Sequence, residues 1–374
     1  MLKYFTFSLL SAFTLSSQAV DYEKLKFIPI DAKTITITNE VNVPWGMVQL
    51  PNQDILITER SGKLKLLKKG TNKTIEISGL PTISARGQGG LLDVALHPDF
   101  KNNQLIYLTF SSPEGKENGS NTALVQAKLN SEKQQIENIN TLFKAKQNTT
   151  IGRHFGSRIA FDNHGYLYFS VGDRANRDVN PQNLTKDAGK IYRLHLDGRI
   201  PNNNPFLNQK DVNPAIYSYG HRNPQGLALN PTTGSIWSHE HGPRGGDEIN
   251  LIRKGLNYGW PVVSYGINYR GTKFTDLTEK EGMESPLSQW TPSIAPSDMV
   301  FVTSDNYPQL KGKLLVGSLK YHFISVVNYQ GDKVISQQKA FKDIGRVRSL
   351  MQGKDGYLYV GIDGKGIVKL QPTK

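Results

Sequence analysis

Imidazole, guanidinium and carboxylate side chains gather in a few short segments of the chain. Arg153-His154-Phe155-Gly156-Ser157-Arg158 sets one histidine among arginines, and Asp173 follows in Val171-Gly172-Asp173-Arg174. A neutral imidazole is a general base suited to work near pH 7. Arg222 and Asn223 stand in Tyr219-Gly220-His221-Arg222-Asn223-Pro224-Gln225-Gly226. Gln88 lies in Arg86-Gly87-Gln88-Gly89-Gly90, while Lys320, Arg346 and Arg348 come late in the chain. Residues 346 and 348 share one face of a strand. Such a pair suits either solvent or a buried polyanion. In His239-Glu240-His241 the two rings would also share a strand face, a spacing that suits a transition metal. No third partner is evident, so these histidines are expected to wall a pocket. Asp247-Glu248 reads either as a solvated acidic pair or as part of a site for a hard cation.

These segments flank a repeated phrase: a turn of Asn, Asp or Gly, then a short alternating apolar strand. It occurs as PNQDILITER, KNNQLIYLTF, DNHGYLYFSVGD, NPTTGSIWSHE, KGKLLVGSLK and KDGYLYVGID, from residue 51 to residue 363. The turns are those that hairpins use, and the alternation is that of half-buried strands. Successive turns lie about 43 to about 80 residues apart, enough for four strands and a longer loop. Helical periodicity is nearly absent outside short stretches such as Gln182–Lys186. No Walker loop or dinucleotide fingerprint follows a strand. A sandwich also has short regular strands, but six similar units fit radial repetition better. The expected fold is all-β: a six-bladed β-propeller with four-stranded antiparallel blades, the two ends of the chain sharing one blade. Propellers carry function on loops at one end of the ring, where the polar segments fall.

Taken together, the segments resemble the soluble quinoprotein sugar dehydrogenases of the glucose/sorbosone dehydrogenase family, and within it the bacterial aldose sugar dehydrogenases. The resemblance runs from Val43-Pro44-Trp45-Gly46 to the last repeat. It is most specific between Tyr219 and Pro261, in YGHRNPQGLALNP, EHGPRGGDEINLI and GLNYGWP. It implies a six-bladed propeller that binds pyrroloquinoline quinone (PQQ) and calcium. His154 matches the family's base, which takes the proton of the anomeric hydroxyl while hydride leaves the same carbon. Asp173 resembles the carboxylate that orients it, and Arg222 is expected near the reducible carbonyl. Gln88, His154, Arg222, Asn223, Lys320, Arg346 and Arg348 match cofactor-contacting positions, with Tyr269 a further contact. For the arginine pair the resemblance favours the polyanion. Gly242 and Pro243 match carbonyl ligands of the calcium on PQQ; Glu248 and Tyr258 match a second calcium site. Trp290-Thr291-Pro292 resembles an active-site loop, its indole either a sugar platform or a core residue. Gly245-Gly246 and the region 272–288 are where family members differ, so substrate range transfers least there.

Composition bounds the remaining choices. Among 374 residues there is no cysteine, which excludes disulfides, thiolate metal sites and cysteine nucleophiles. Met1–Ala19 reads as a cleaved export signal: one early lysine, an apolar stretch too short to span a bilayer, and small residues at a cleavage site. Residues 20–374 would then form a single propeller domain, periplasmic or secreted, with no transmembrane segment. The formal charge of +13 admits nucleic acid as a partner, but no recognisable module supports it. The expected partners are an aldose and an external electron acceptor, the molecule being a monomer or homodimer. The rival reading is a propeller binding module without redox turnover. A lactonase would show acidic metal ligands lining the channel, where this chain has basic residues.

Overall fold

The computed structural model describes residues 18–373. Six sheets are arranged as the blades of a propeller. The first blade comprises Pro44–Gln49, Ile55–Glu59, Lys63–Leu67 and Thr74–Ile77. The second comprises Leu91–Leu96, Leu105–Ser112, Asn121–Asn130 and Gln135–Lys144. The third runs through Ile159–Phe161, Tyr166–Val171, Lys190–His195 and Ile216–Tyr219. The fourth contains Pro224–Leu229, Ile236–Glu240, Asp247–Leu251 and Ser288–Trp290, with Gln18–Val20 added in parallel at its edge. The fifth contains Pro296–Phe301, Leu314–Ser318, Ile324–Gln330 and Lys333–Ala340. The sixth joins Val347–Gln352, Leu358–Ile362 and Gly366–Pro372 to the early strand Ala32–Thr38, so the two ends of the chain do share a blade.

All six repeated phrases supply the second strand of their blade. In five of them a turn Asn or Asp accepts the N–H two residues on, a local bond that sets the hairpin before any tertiary contact forms. Asn52, Asn103, Asp162, Asn230 and Asp355 do this at 2.9–3.1 Å. Gln182–Lys186 forms turns rather than a helix, because Asn183 Oδ1 captures the N–H and hydroxyl of Thr185. The single α-helix among the described residues is Phe100–Asn103. No described helix is long and apolar enough to cross a membrane. The expected export signal lies outside the described residues up to residue 17.

Apolar residues do not form one central core. They form six clusters, each between two adjacent blades, as expected where every sheet buries both faces, and a small seventh of Trp45, Leu92 and Phe155. The innermost strands touch in a closed cycle. At their centre the Arg158 guanidinium reaches Asp93 Oδ1 at 2.9 Å and Asp298 Oδ2 at 3.4 Å. It donates further to the carbonyls of Gln225 and Ser297, and lies 4.2 Å over the Trp45 ring. Asp298 in turn accepts the Leu350 N–H at 2.9 Å. One buried cation thus links innermost strands or their leading residues in all six blades. Burial raises both carboxyl pKa values, that of Asp298 to about 7, against the pull of Arg158.

Candidate active site

In an antiparallel blade the second-to-third connection and the link from the fourth strand to the next blade emerge at the same end. Gln88, His154, Arg222 and Arg346 lie on links between blades. Asp173, Gly242, Pro243 and Lys320 lie on second-to-third connections. That geometry gathers distant segments at one mouth of the ring.

A cavity of about 400 Å³ opens there, within the range of small-molecule sites. Gln88, His154, Asp173, Arg222, Pro243 and Tyr269 all line it. A larger cavity, about 680 Å³, lies between the first and sixth blades and is lined by Lys68, Lys69, Lys369 and Tyr357. It brings together none of the expected site residues.

His154 is the centre of the smaller cavity. Its Nδ1 lies 2.7 Å from Asp173 Oδ1, which fixes Nδ1 as the protonated nitrogen and leaves Nε2 as an acceptor. The backbone here is in the left-handed region, with φ of 58° at His154, and the His154 N–H donates to Gln88 Oε1 at 2.8 Å. Gly172 permits this turn: a Cβ there would sit 2.3 Å from the His154 carbonyl oxygen. Burial lowers the imidazole pKa, and the Arg222 and Arg153 charges lower it further, against the Asp173 carboxylate. The ring is neutral at pH 7.

Asp173 is buried, and burial alone would raise its pKa. Hydrogen bonds from His154 and Trp260, together with the Arg222 charge, outweigh this and hold it below the usual carboxylate value. Trp260 Nε1 donates to Asp173 Oδ2 at 2.8 Å, and the Ala175 N–H donates to Oδ1 at 2.7 Å. Arg222 is clamped by its main chain: Glu240 Oε2 accepts its N–H at 2.6 Å and its carbonyl accepts the Asp173 N–H at 2.7 Å. Its Nη1 reaches the His241 carbonyl, and its guanidinium lies 5.3 Å from the Trp260 ring centre. Glu240 is itself held by His221 Nδ1 at 2.9 Å, and Ser218 closes that chain at His221 Nε2. This Ser–His–Glu array is sealed from solvent, which denies it a nucleophilic role and makes it a support for Arg222.

Other expected residues stand elsewhere. Asn223 is buried with Oδ1 on the Gly156 N–H and does not line the cavity. Lys320, Arg346 and Arg348 also lie outside it. Arg346 and Arg348 share Asp363 at 2.7–3.1 Å, and Arg346 Nη1 reaches the Leu319 carbonyl, next to exposed Lys320. Arg60 belongs with them: burial and the neighbouring Arg348 and Arg346 charges depress its pKa. Four cations against one carboxylate suit a polyanion such as the carboxylates of PQQ.

Among the described residues no group of three or more His, Asp or Glu side chains could hold a metal ion. A hard cation here would depend on carbonyl oxygens. The Gly242-Pro243 turn is shaped for exposure of such atoms by Asp247, which accepts the Gly242 and Ala295 N–H groups and the Ser293 hydroxyl. The Pro243 carbonyl keeps one lone pair beyond its bond from the Ile267 N–H. Asp247 is fully buried, so Asp247-Glu248 is not a solvated pair. Glu248 faces Glu240 across two paired strands, and burial and that like charge push its pKa up. Asn250, bonded to both carboxylates, leaves Oδ1 buried without a partner. A cation would relieve both conditions. The Tyr258 hydroxyl is committed to the Leu251 carbonyl and the Arg253 N–H, leaving its main-chain oxygen as the available ligand.

One expectation is corrected and one open alternative is decided. His239 is entirely buried with both ring nitrogens unpartnered, and neither it nor His241 lines the cavity. His239 packs within the blade, and His241, half-buried just past that strand, meets Arg222 through its carbonyl instead of walling the pocket. Trp290 is a core residue, fully buried with Trp237 and Met299, because its strand pairs on both sides. Beside Tyr269, the cavity is lined by the ring of Trp260, within the GLNYGWP stretch but not singled out from sequence. It is carried by residues 252–287, which leave the fourth blade at the opposite end and climb back to the mouth.

The family model described as Glucose / Sorbosone dehydrogenase matches residues 41–369. The chain is 39% identical over 350 residues to an aldose sugar dehydrogenase of Escherichia coli, covering 92% of this chain and 94% of that one. The crystal structure of the soluble aldose sugar dehydrogenase from Escherichia coli in the apo-form matches with a TM-score of 0.88 and 39% identity, covering 91% and 99%. The PQQ-bound aldose sugar dehydrogenase of Streptomyces coelicolor matches with a TM-score of 0.74 and 26% identity, covering 92% and 99%. Sequence, propeller and the residues at its mouth agree, and the chain belongs to the glucose/sorbosone dehydrogenase family.

Proposed function

We propose that the protein is an exported, PQQ- and calcium-dependent dehydrogenase that oxidises aldoses at C1 to aldonolactones. The observation that carries this reading is the His154–Asp173 pair, opening with Arg222 into one cavity. PQQ, bound with calcium, would supply the acceptor for the hydride that leaves C1. His154 Nε2 takes the proton of the anomeric hydroxyl, and Asp173 holds the ring and stabilises the imidazolium. Arg222 presents a fixed positive charge where negative charge develops. Gln88 holds the His154 main chain through its carbonyl oxygen and keeps its amide N–H groups for the ligand. Arg346, Arg348, Lys320 and Arg60 would hold the cofactor carboxylates. Gly242 and Pro243 would supply carbonyls to the ion at the cofactor, and Glu248 with the Tyr258 carbonyl would bind a second one. Electrons then pass to an external acceptor.

The test is reconstitution of the cofactor-free protein with PQQ and Ca²⁺, followed by dye reduction across a panel of aldoses. Turnover that requires both additions is expected. No stoichiometric PQQ uptake, with sugar bound but not turned over, would instead establish a binding module.

A further inference from the structure

The mouth of the cavity carries more positive charge than proton transfer at C1 needs. Arg153 and Arg177 both line it, on segments separate from Arg222. Among the described residues the Arg153 guanidinium has no hydrogen-bond or ion-pair partner, and it stands next in sequence to the base His154. Arg177 is held in place: Nη1 donates to Asn268 Oδ1 at 2.9 Å and its guanidinium lies 4.4 Å over the Phe274 ring. Two carboxylates face these groups. Asp173 is committed to His154 and Trp260. Asp178 is 81% exposed and touches Arg177 only at 3.5 Å, so solvent screens it.

We propose that Arg153 and Arg177 select aldoses bearing an anionic group remote from C1, a uronate carboxylate or a terminal phosphate. The proposal rests on the dehydrogenase reading and names its substrate class. A neutral sugar presents only hydroxyls and leaves an unpaired guanidinium unmatched, whereas carboxylate and phosphate oxygens fit its fork. These arginines are not needed for the cofactor carboxylates, because Arg346, Arg348 and Arg60 form a separate cluster around Asp363, with Lys320 next in sequence to the Leu319 carbonyl that Arg346 holds. With C1 at His154, the far end of the sugar meets the rim, and the rim is basic.

The experiment compares KM and kcat of the PQQ- and Ca²⁺-loaded enzyme for glucose, glucuronate, galacturonate and glucose 6-phosphate at low and high salt. The anionic sugars are expected to show KM values at least tenfold below glucose at low salt, with the advantage shrinking as salt rises. Arg153→Ala and Arg177→Ala should cut the ratio of glucose KM to anion KM tenfold or more, through KM rather than kcat, with partial recovery in Arg153→Lys. The uronate and phosphate arms identify which anion fits. Equal KM shifts for neutral and charged sugars, or a weakened PQQ titration in Arg153→Ala, would overturn the assignment. If the loaded enzyme turns over no aldose, the dehydrogenase reading fails by itself. Calorimetric titration of glucuronate and glucose 6-phosphate onto cofactor-free wild type and Arg153→Ala then decides the anion site: binding lost in the variant supports it, and no binding to wild type sinks it.

Discussion

His154 joins three conditions that rarely coincide: a left-handed backbone, an almost buried ring and a carboxylate at 2.7 Å. Non-glycine residues in that region cost about 1–3 kcal/mol each, a cost tolerated where geometry serves chemistry. His154→Ala is expected to lower kcat at least a thousandfold while the PQQ titration stays within about threefold. Asp173→Asn should lose about a hundredfold or more, since an amide can stabilise the wrong tautomer. Both are read by single-turnover reduction in the loaded protein. In the proposed reaction the neutral ring is the reactive form, and burial makes its protonation harder than for a free imidazole, whose pKa is about 6.5. Activity is therefore lost as pH falls, and the acid limb of kcat/KM should lie below about 6.5. At the other side of the mouth, Lys320→Ala should weaken PQQ affinity about tenfold, in line with one charge-assisted hydrogen bond. An unaltered titration would remove Lys320 from the cofactor site.

At the scale of elements, the second strand was legible in five of the six blades because its turn is written locally. An Asn or Asp shortly ahead of the strand accepts the N–H two residues on and carries the instruction in its own side chain. The first, third and fourth strands carry no such mark, and they are recognised only by what they pair with. The same division holds at the site. His154 and Arg222 stand beside glycines and strand starts that point to them. Trp260 does not: it reaches Asp173 from a 36-residue connection, 252–287, that starts at the other end of the ring. Trp290 stayed open between sugar platform and core because its burial depends on a strand partner some 270 residues earlier in the chain. Trp260→Phe tests the long connection. It removes the donor to Asp173 Oδ2 and leaves that buried oxygen unpaired, at about 1–3 kcal/mol. We expect kcat to fall about tenfold or more with little change in fold, measured by turnover alongside thermal unfolding.

For the whole molecule the absence of cysteine is answered by closure and by the central cation. Arg158 touches or indirectly links every blade, and its two carboxylate partners have raised pKa values. Arg158→Met would leave those acids uncompensated, at about 3–5 kcal/mol for breaking such a buried pair. A buried carboxyl whose folded pKa exceeds its unfolded value contributes stability at low pH and loses it as pH rises. The variant should therefore be least stable at alkaline pH, and its deficit against wild type should widen between pH 5.5 and 8 in denaturant unfolding. A constant deficit would show that the hub acts through shape alone.

Ala32–Thr38 pairs with Gly366–Pro372, and this has a temporal meaning. The strand is made before the other five blades, and its partner only after them. Those blades can assemble during synthesis, but the ring stays open until residues 366–372 emerge. Until then an unpaired edge is exposed to neighbouring chains. Residues 366–372 thus act as a latch: without that strand the sixth blade would keep an open edge, a site for aggregation.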